Sequence, residues 1–191
     1  GVARQEQGVV HELAERATGR IKKPVDFAYI WGDALAEFER VRPDARIINL
    51  ETAVTAAEDA WPGKGIHYRM HPANIPCLTA ATIDCCALGN NHALDWGRSG
   101  LVETLDTLKQ AGIRTAGAGR DETEAAAPAV IELTGGGRVL VFAFGTASSG
   151  VPRDWAARLK EWRGIYLIVD EKDGARYVGS AYGEQNLYGR W

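Results

Sequence analysis

Two short segments of this chain concentrate side chains able to hold a metal ion or move a proton: Asn49 to Glu51, and Asn90 to Asp95 within "GNNHALDWG". Glu51 offers a carboxylate and Asn91 an amide oxygen, both hard ligands for a divalent cation. His92 can ligate a metal through one ring nitrogen, or protonate a leaving oxygen near neutral pH. Asp95, three residues on, is close enough in sequence to orient the imidazole through its other nitrogen. Spacing alone leaves an ordinary alternative open for each. Asn90 and Asn91 suit a turn and a cap, His92 a hydrogen-bonded histidine at a helix entry, and Asp95 a plain N-cap.

Either reading needs elements that bring the two segments together. "QGVVHELAERATG" carries a helical stripe (Val9, Val10, Leu13, Ala14, Ala17) stopped at Gly19. "VDFAYI" reads as a strand, "GDALAEFERV" as a helix capped by Asp33, and "ARIINL" as a strand buried on both faces. Residues 51–73 read as loop, and "NIPCLTAA" as a short helix with Asn74 as its cap. "IDCCAL" is a strand; Leu101, Leu105 and Leu108 form a helical seam ending at Gly112. "IRTAGAG" is a strand and turn, "DETEAAA" a helical turn stopped by Pro128. "AVIEL", "TGGG" and "RVLVFAF" make a hairpin or a Gly-rich crossover. Strands alternating with helices from about residue 25 to 130 predict an α/β domain with a largely parallel sheet. Ligands of such sheets sit at the carboxyl ends of strands, where both polar segments fall.

The 191 residues suffice for one domain of ordinary size with a small appendage. A net charge of −3 and a pI near 5.8 argue against a general nucleic-acid binder, which needs a basic face. No apolar run reaches membrane-spanning length, and "GVARQEQG" has no signal-peptide core. Cys77, Cys85 and Cys86 read as thiols in a reducing compartment, not as a disulfide framework. The expectation for the chain as it stands is cytoplasmic.

"YIWGDALAE", "RIINLETAVT", the long block from "GKGIHYRMHP" through "GNNHALDWG" to "KQAGI", "AGAGRDETEAAAPAV" and "SSGVPRDWAA" together resemble the CapA-type family, bacterial capsule and poly-γ-glutamate synthesis proteins. The resemblance runs from about residue 8 to 157, in the family's order. It implies a metallophosphatase-like layered sandwich with a largely parallel sheet and a metal centre at the strand ends. Glu51, Asn91 and His92 would bind a divalent ion (Mn, Zn or Mg), with His92 as the catalytic histidine of a metal-dependent phosphoesterase-like hydrolase; Asp95, from its spacing, joins the catalytic candidates as the residue that orients it. The implied substrate is an anionic polymer or a phosphoester, and a full-length form has room for cell-envelope association. Arg69, between His67 and His71, is the candidate substrate contact, since a guanidinium pairs with carboxylate or phosphate through two bonds. The family opens on a strand ending in Gly-Asp, whose Asp is a ligand, and continues past "SSGVPRDWAA" through histidine-bearing loops. The expectation is therefore a partial domain over residues 1–157, with a partial site and weak metal binding.

After Ala157 the pattern changes to two apolar and aromatic runs around "DEKDG", a C-terminal β-hairpin. "GIY", "YVG" and "NLYGRW" resemble the start of a GIY-YIG nuclease domain, over a second unit at residues 158–191. That resemblance implies active-site roles for Tyr166, Tyr177 and Arg190, and DNA as substrate. The segment holds six basic and five acidic residues, little charge for gripping DNA. Three readings follow: a CapA-like domain, a DNA phosphodiesterase fragment, and an inactive fusion of two unrelated segments.

Overall fold

Leu101, Leu105 and Leu108 share one side of a helix and are all buried, which fixes where that helix lies. The structure, a computed structural model, describes residues 12–21 and 23–145 and the backbone of two later strands. A first helix, α1, covers residues 12–18 and stops at Gly19, whose φ of 84° and bond from N–H to Glu15 O close the last turn. A 3₁₀ turn (Tyr29–Trp31) leads to α2 (Ala34–Val41). Next come β1 (Ile47–Asn49), β2 (Ala53–Val54), β3 (Arg69–Met70), a 3₁₀ turn (Pro72–Asn74), α3 (Pro76–Ala80) and β4 (Cys85–Ala87). The seam helix is α4 (Gly97–Gln110), followed by β5 (Arg114–Ala116), α5 (Glu122–Ala126), β6 (Ala129–Glu132) and β7 (Arg138–Val141). The later strands are β8 (Gly164–Val169) and β9 (Arg176–Ala181), an antiparallel pair.

β1, β4 and β5 form a parallel sheet with β4 in the middle. Successive strand residues face opposite ways, so adjacent Cys85 and Cys86 enter two different cores. Cys86 joins Leu78, Leu101, Leu105 and Leu108 beneath the helices. Cys85 joins Ala116 and Ile131 beneath the β6–β7 hairpin. The result is a layered α/β arrangement with helices on one face of the sheet and an antiparallel hairpin on the other. Burial raises the Cys85 thiol to about 11 and the Cys86 thiol to about 12, so both stay protonated and inert. Among the described residues, no helix is long and apolar enough to cross a membrane.

Several sequence expectations need correction. The "VDFAYI" stretch forms the 3₁₀ turn instead of a strand, because Trp31 turns inward. Its indole Nε1 donates to Cys77 O (2.7 Å) and its ring meets Phe38 edge-on. β1 is not buried on both faces: Ile48 packs into the core, while Ile47 stays exposed at the sheet's end position. Asp33 stands at the N-cap of α2 without a side-chain cap bond, and α3 is preceded at its N-cap by Ile75, not Asn74. "TGGG" closes a hairpin, with Gly136 and Gly137 at φ of 88° and 89°.

Candidate functional site

β1 and β4 run parallel in register, from Ile47 opposite Cys85 to Asn49 opposite Ala87, so both chains leave the sheet at the same end. Two asparagines tie these exits together. Asn90 Nδ2 donates to Asn49 Oδ1 (3.0 Å) and to Leu50 O (3.1 Å), while its Oδ1 accepts from His92 N (3.0 Å). Asn49 Nδ2 in turn donates to Glu51 Oε2 (3.2 Å). Glu51 and His92 are brought face to face by this network, with His92 Nε2 3.9 Å from Glu51 Oε1.

His92 is buried, and its other ring nitrogen, Nδ1, lies 2.7 Å from Asp95 Oδ2. The Tyr68 ring stacks on the imidazole at 4.1 Å between centroids. Asp95 is fully buried. Burial works against its charge, but Lys64, His92 and the Tyr68 N–H outweigh that, and its carboxyl is held below its ordinary value of 3.8. An ionised Asp95 can only accept, so Nδ1 donates to it, which leaves Nε2 facing Glu51.

Asp95 is therefore not a helix cap. The N-cap of α4 is Trp96, which makes no side-chain cap bond. Asp95 points inward and gathers the loop that joins β2 to β3. Lys64 Nζ pairs with Asp95 Oδ1 and also donates to Asn91 O. Tyr68 N donates to Asp95 Oδ2 (2.5 Å), and Trp61 N donates to Asp95 O (2.8 Å). At the loop's base, Val54 N donates to the buried Thr104 Oγ1 of α4 (2.9 Å), and Thr55 Oγ1 donates to Glu103. Lys64 and Tyr68 were not among the sequence candidates, and Asn49 and Asn90 entered only as members of the two polar segments. The one usable signal was Asp95 itself: a buried carboxylate needs a cation, but the sequence does not say which.

Arg69 lies over the Trp96 ring (4.1 Å) and donates to Ala57 O (2.8 Å), bracing the same loop. His67 Nε2 meets Trp61 O (2.9 Å), and His71 Nδ1 accepts from Ala73 N (3.1 Å) to cap a 3₁₀ turn. Neither histidine joins His92. The backbone register of β8 and β9 sets Tyr166 opposite Gly179 and Tyr177 opposite Ile168. Arg190 lies outside the described residues.

Metal-ligand bonds of about 2.0–2.2 Å set neighbouring donors of one ion roughly 3–4 Å apart. The separation of Glu51 Oε1 and His92 Nε2 fits that, and the half-buried Asn91 side chain makes no hydrogen bond among the described residues. The donor set is short, however: among the described residues, no group of three or more His, Cys, Asp and Glu side chains converges as a metal cluster.

The bacterial capsule synthesis protein family PGA_cap matches residues 5–173. Two proteins of Mycobacterium tuberculosis, both named probable polyglutamine synthesis accessory protein (MT0602 of strain CDC 1551 / Oshkosh and Rv0574c of strain ATCC 25618 / H37Rv), are each 46% identical over 158 residues. The match covers 83% of this chain and 41% of each relative, so the chain spans about two-fifths of their length. An uncharacterized protein of Sinorhizobium fredii (strain NBRC 101917 / NGR234), y4sH, is 34% identical over 89 residues, 47% of this chain and 19% of that protein. The family match takes in Glu51, Asn91, His92 and Asp95 and extends through β8, and the chain belongs to the bacterial capsule synthesis protein family.

Proposed function

We propose that this chain carries the His92 centre of a protein acting in capsule or poly-glutamate synthesis, on an anionic polymer or a phosphoester. The observation that carries the reading is the geometry of His92: Nδ1 fixed by a buried, ionised Asp95, and Nε2 turned toward Glu51 at the exits of two adjacent strands. Membership of the capsule synthesis family and the mycobacterial relatives' names, which speak of polyglutamine synthesis, support a place in polymer synthesis.

The residues that would hold a divalent ion are Glu51, Asn91 and His92; when bound, the ion supplies Lewis-acid polarisation of a phosphoryl oxygen. Asp95 serves both roles open to Nε2, ligand or proton donor to a leaving oxygen, because each needs the ring held and Nδ1 protonated. Lys64 keeps Asp95 charged, and Tyr68 covers one face of the ring. On this reading they serve phosphoester hydrolysis. A DNA phosphodiesterase role for residues 162–191 rests on the two half-motifs and their hairpin alone.

The test is genetic. The full-length protein with His92→Ala or Glu51→Gln is expressed in a strain lacking the wild-type copy, and surface polymer is measured. Polymer is expected to fall to the level of the deletion while the protein accumulates normally. Undiminished polymer with both variants would remove the basis for this function.

A further inference from the structure

Beside β5, a groove of about 380 Å³ opens between α4, β5, α5 and β6. Its charged lining is Lys109, Arg114 and Arg120 against a single carboxylate, Glu124. That positive excess runs against the net charge of the chain, −3. Arg120 is already committed. It pairs with Glu124 Oε1 (2.7 Å) and with Asp106 of α4, tying α4 to α5 and fixing the groove wall. The side chains of Lys109 and Arg114 make no hydrogen bond or ion pair among the described residues, and both residues are exposed. The negative end of α4 draws part of the charge of Lys109. Arg114, the first residue of β5, has no such helix end of its own.

We propose that this groove binds carboxylates of an acidic polymer, through Arg114 and Lys109, as a station separate from His92. The inference rests on the capsule or poly-glutamate reading above. A guanidinium takes a carboxylate through two parallel bonds, and a lysine adds a second point charge. Both cations sit in the open, which suits a chain lying along the surface. Each contact is weak, and repeated carboxylates sum them.

The experiment is calorimetric titration of the 191-residue chain with a γ-linked glutamate oligomer at low salt, and separately with inorganic phosphate. The variants are the double substitution Lys109→Gln/Arg114→Gln and Arg42→Gln, which removes an exposed cation at the end of α2. The oligomer should bind wild type and Arg42→Gln alike, and bind the double variant at least about tenfold more weakly. Added salt should weaken it. Phosphate binding tighter than the oligomer, or oligomer binding indifferent to the double variant, overturns the groove proposal. A loss as large in Arg42→Gln overturns it as well, while the capsule reading stands. If the chain binds no oligomer at all, the groove proposal fails, and the capsule reading is decided separately by the polymer measurement.

Discussion

Replacing Lys64 by methionine leaves Asp95 without its ammonium inside the loop it gathers. The Asp95 side chain is 0% exposed and that of Lys64 24%. Removing one partner of a buried pair costs about 3–5 kcal/mol, because the other charge is stranded. Water reaches Lys64 in part, and His92 and Tyr68 N still bond Asp95, so the low end applies, about 3 kcal/mol. For a chain of this size that corresponds to a loss of about 6–12 °C in Tm. The pH dependence has a fixed sign. In the wild type, Asp95 lies below 3.8 in the folded state, so its stabilisation is present above 3.8 and lost as pH falls through the folded value. In Lys64→Met the largest influence, burial, is far less opposed and moves the carboxyl upward. The variant then loses further stability as pH rises above 3.8. The deficit should be smaller at pH 4 than at pH 7, and Asp95→Asn added to Lys64→Met should recover part of it. Urea denaturation of the three proteins at both pH values, followed by circular dichroism, measures this. A deficit below about 1 kcal/mol at pH 7, or one that ignores pH and the second substitution, would refute the reasoning.

Asn90→Ala removes the side-chain bonds to Asn49, Leu50 and His92 and should cost about 1–3 kcal/mol in urea denaturation; an unchanged midpoint would show that the strand exits need no tie. Gly117 has φ of 85°, and a Cβ there would lie 2.5 Å from Ala143 O. Gly117→Ala should therefore lower stability by about 1–3 kcal/mol, and a variant as stable as wild type would contradict the close approach. Toward a thiol reagent at pH 8, half-buried Cys77 should react in the native protein, while Cys85 and Cys86, raised to about 11 and about 12, should react only on unfolding. Three equally fast thiols would contradict the two-core packing around β4.

The central sheet was legible because its signals are local and repeated. Three leucines at helical spacing mark α4, and "IDCCAL" is apolar on successive residues because β4 faces two cores. The hairpin of β6 and β7 follows from two apolar runs around "TGGG". Trp31 misled because its position is set by a carbonyl far along the chain, Cys77 O, which no local pattern contains. The core of the site, His92 beside Asp95 with Glu51 opposite, was legible because adjacent parallel strands place their exits together. Lys64 and Tyr68 were not. They sit in a loop without periodicity, and only the folded loop reveals that they close on a buried carboxylate. Asn90 was readable as a turn former, but neither it nor Asn49 as the bond between two strands, since that depends on strand order.

The account turns on Glu51 and His92 Nε2 acting as one donor pair. Calorimetric titration of the chain with Mn²⁺ and Zn²⁺, for wild type, Glu51→Gln, His92→Ala and His67→Ala, tests it most directly. The account predicts binding that is weakened by at least about tenfold in both Glu51→Gln and His92→Ala, and unchanged in His67→Ala, whose ring contacts Trp61 and Trp96. Binding that ignores Glu51 and His92, or that is lost equally with His67→Ala, would contradict it.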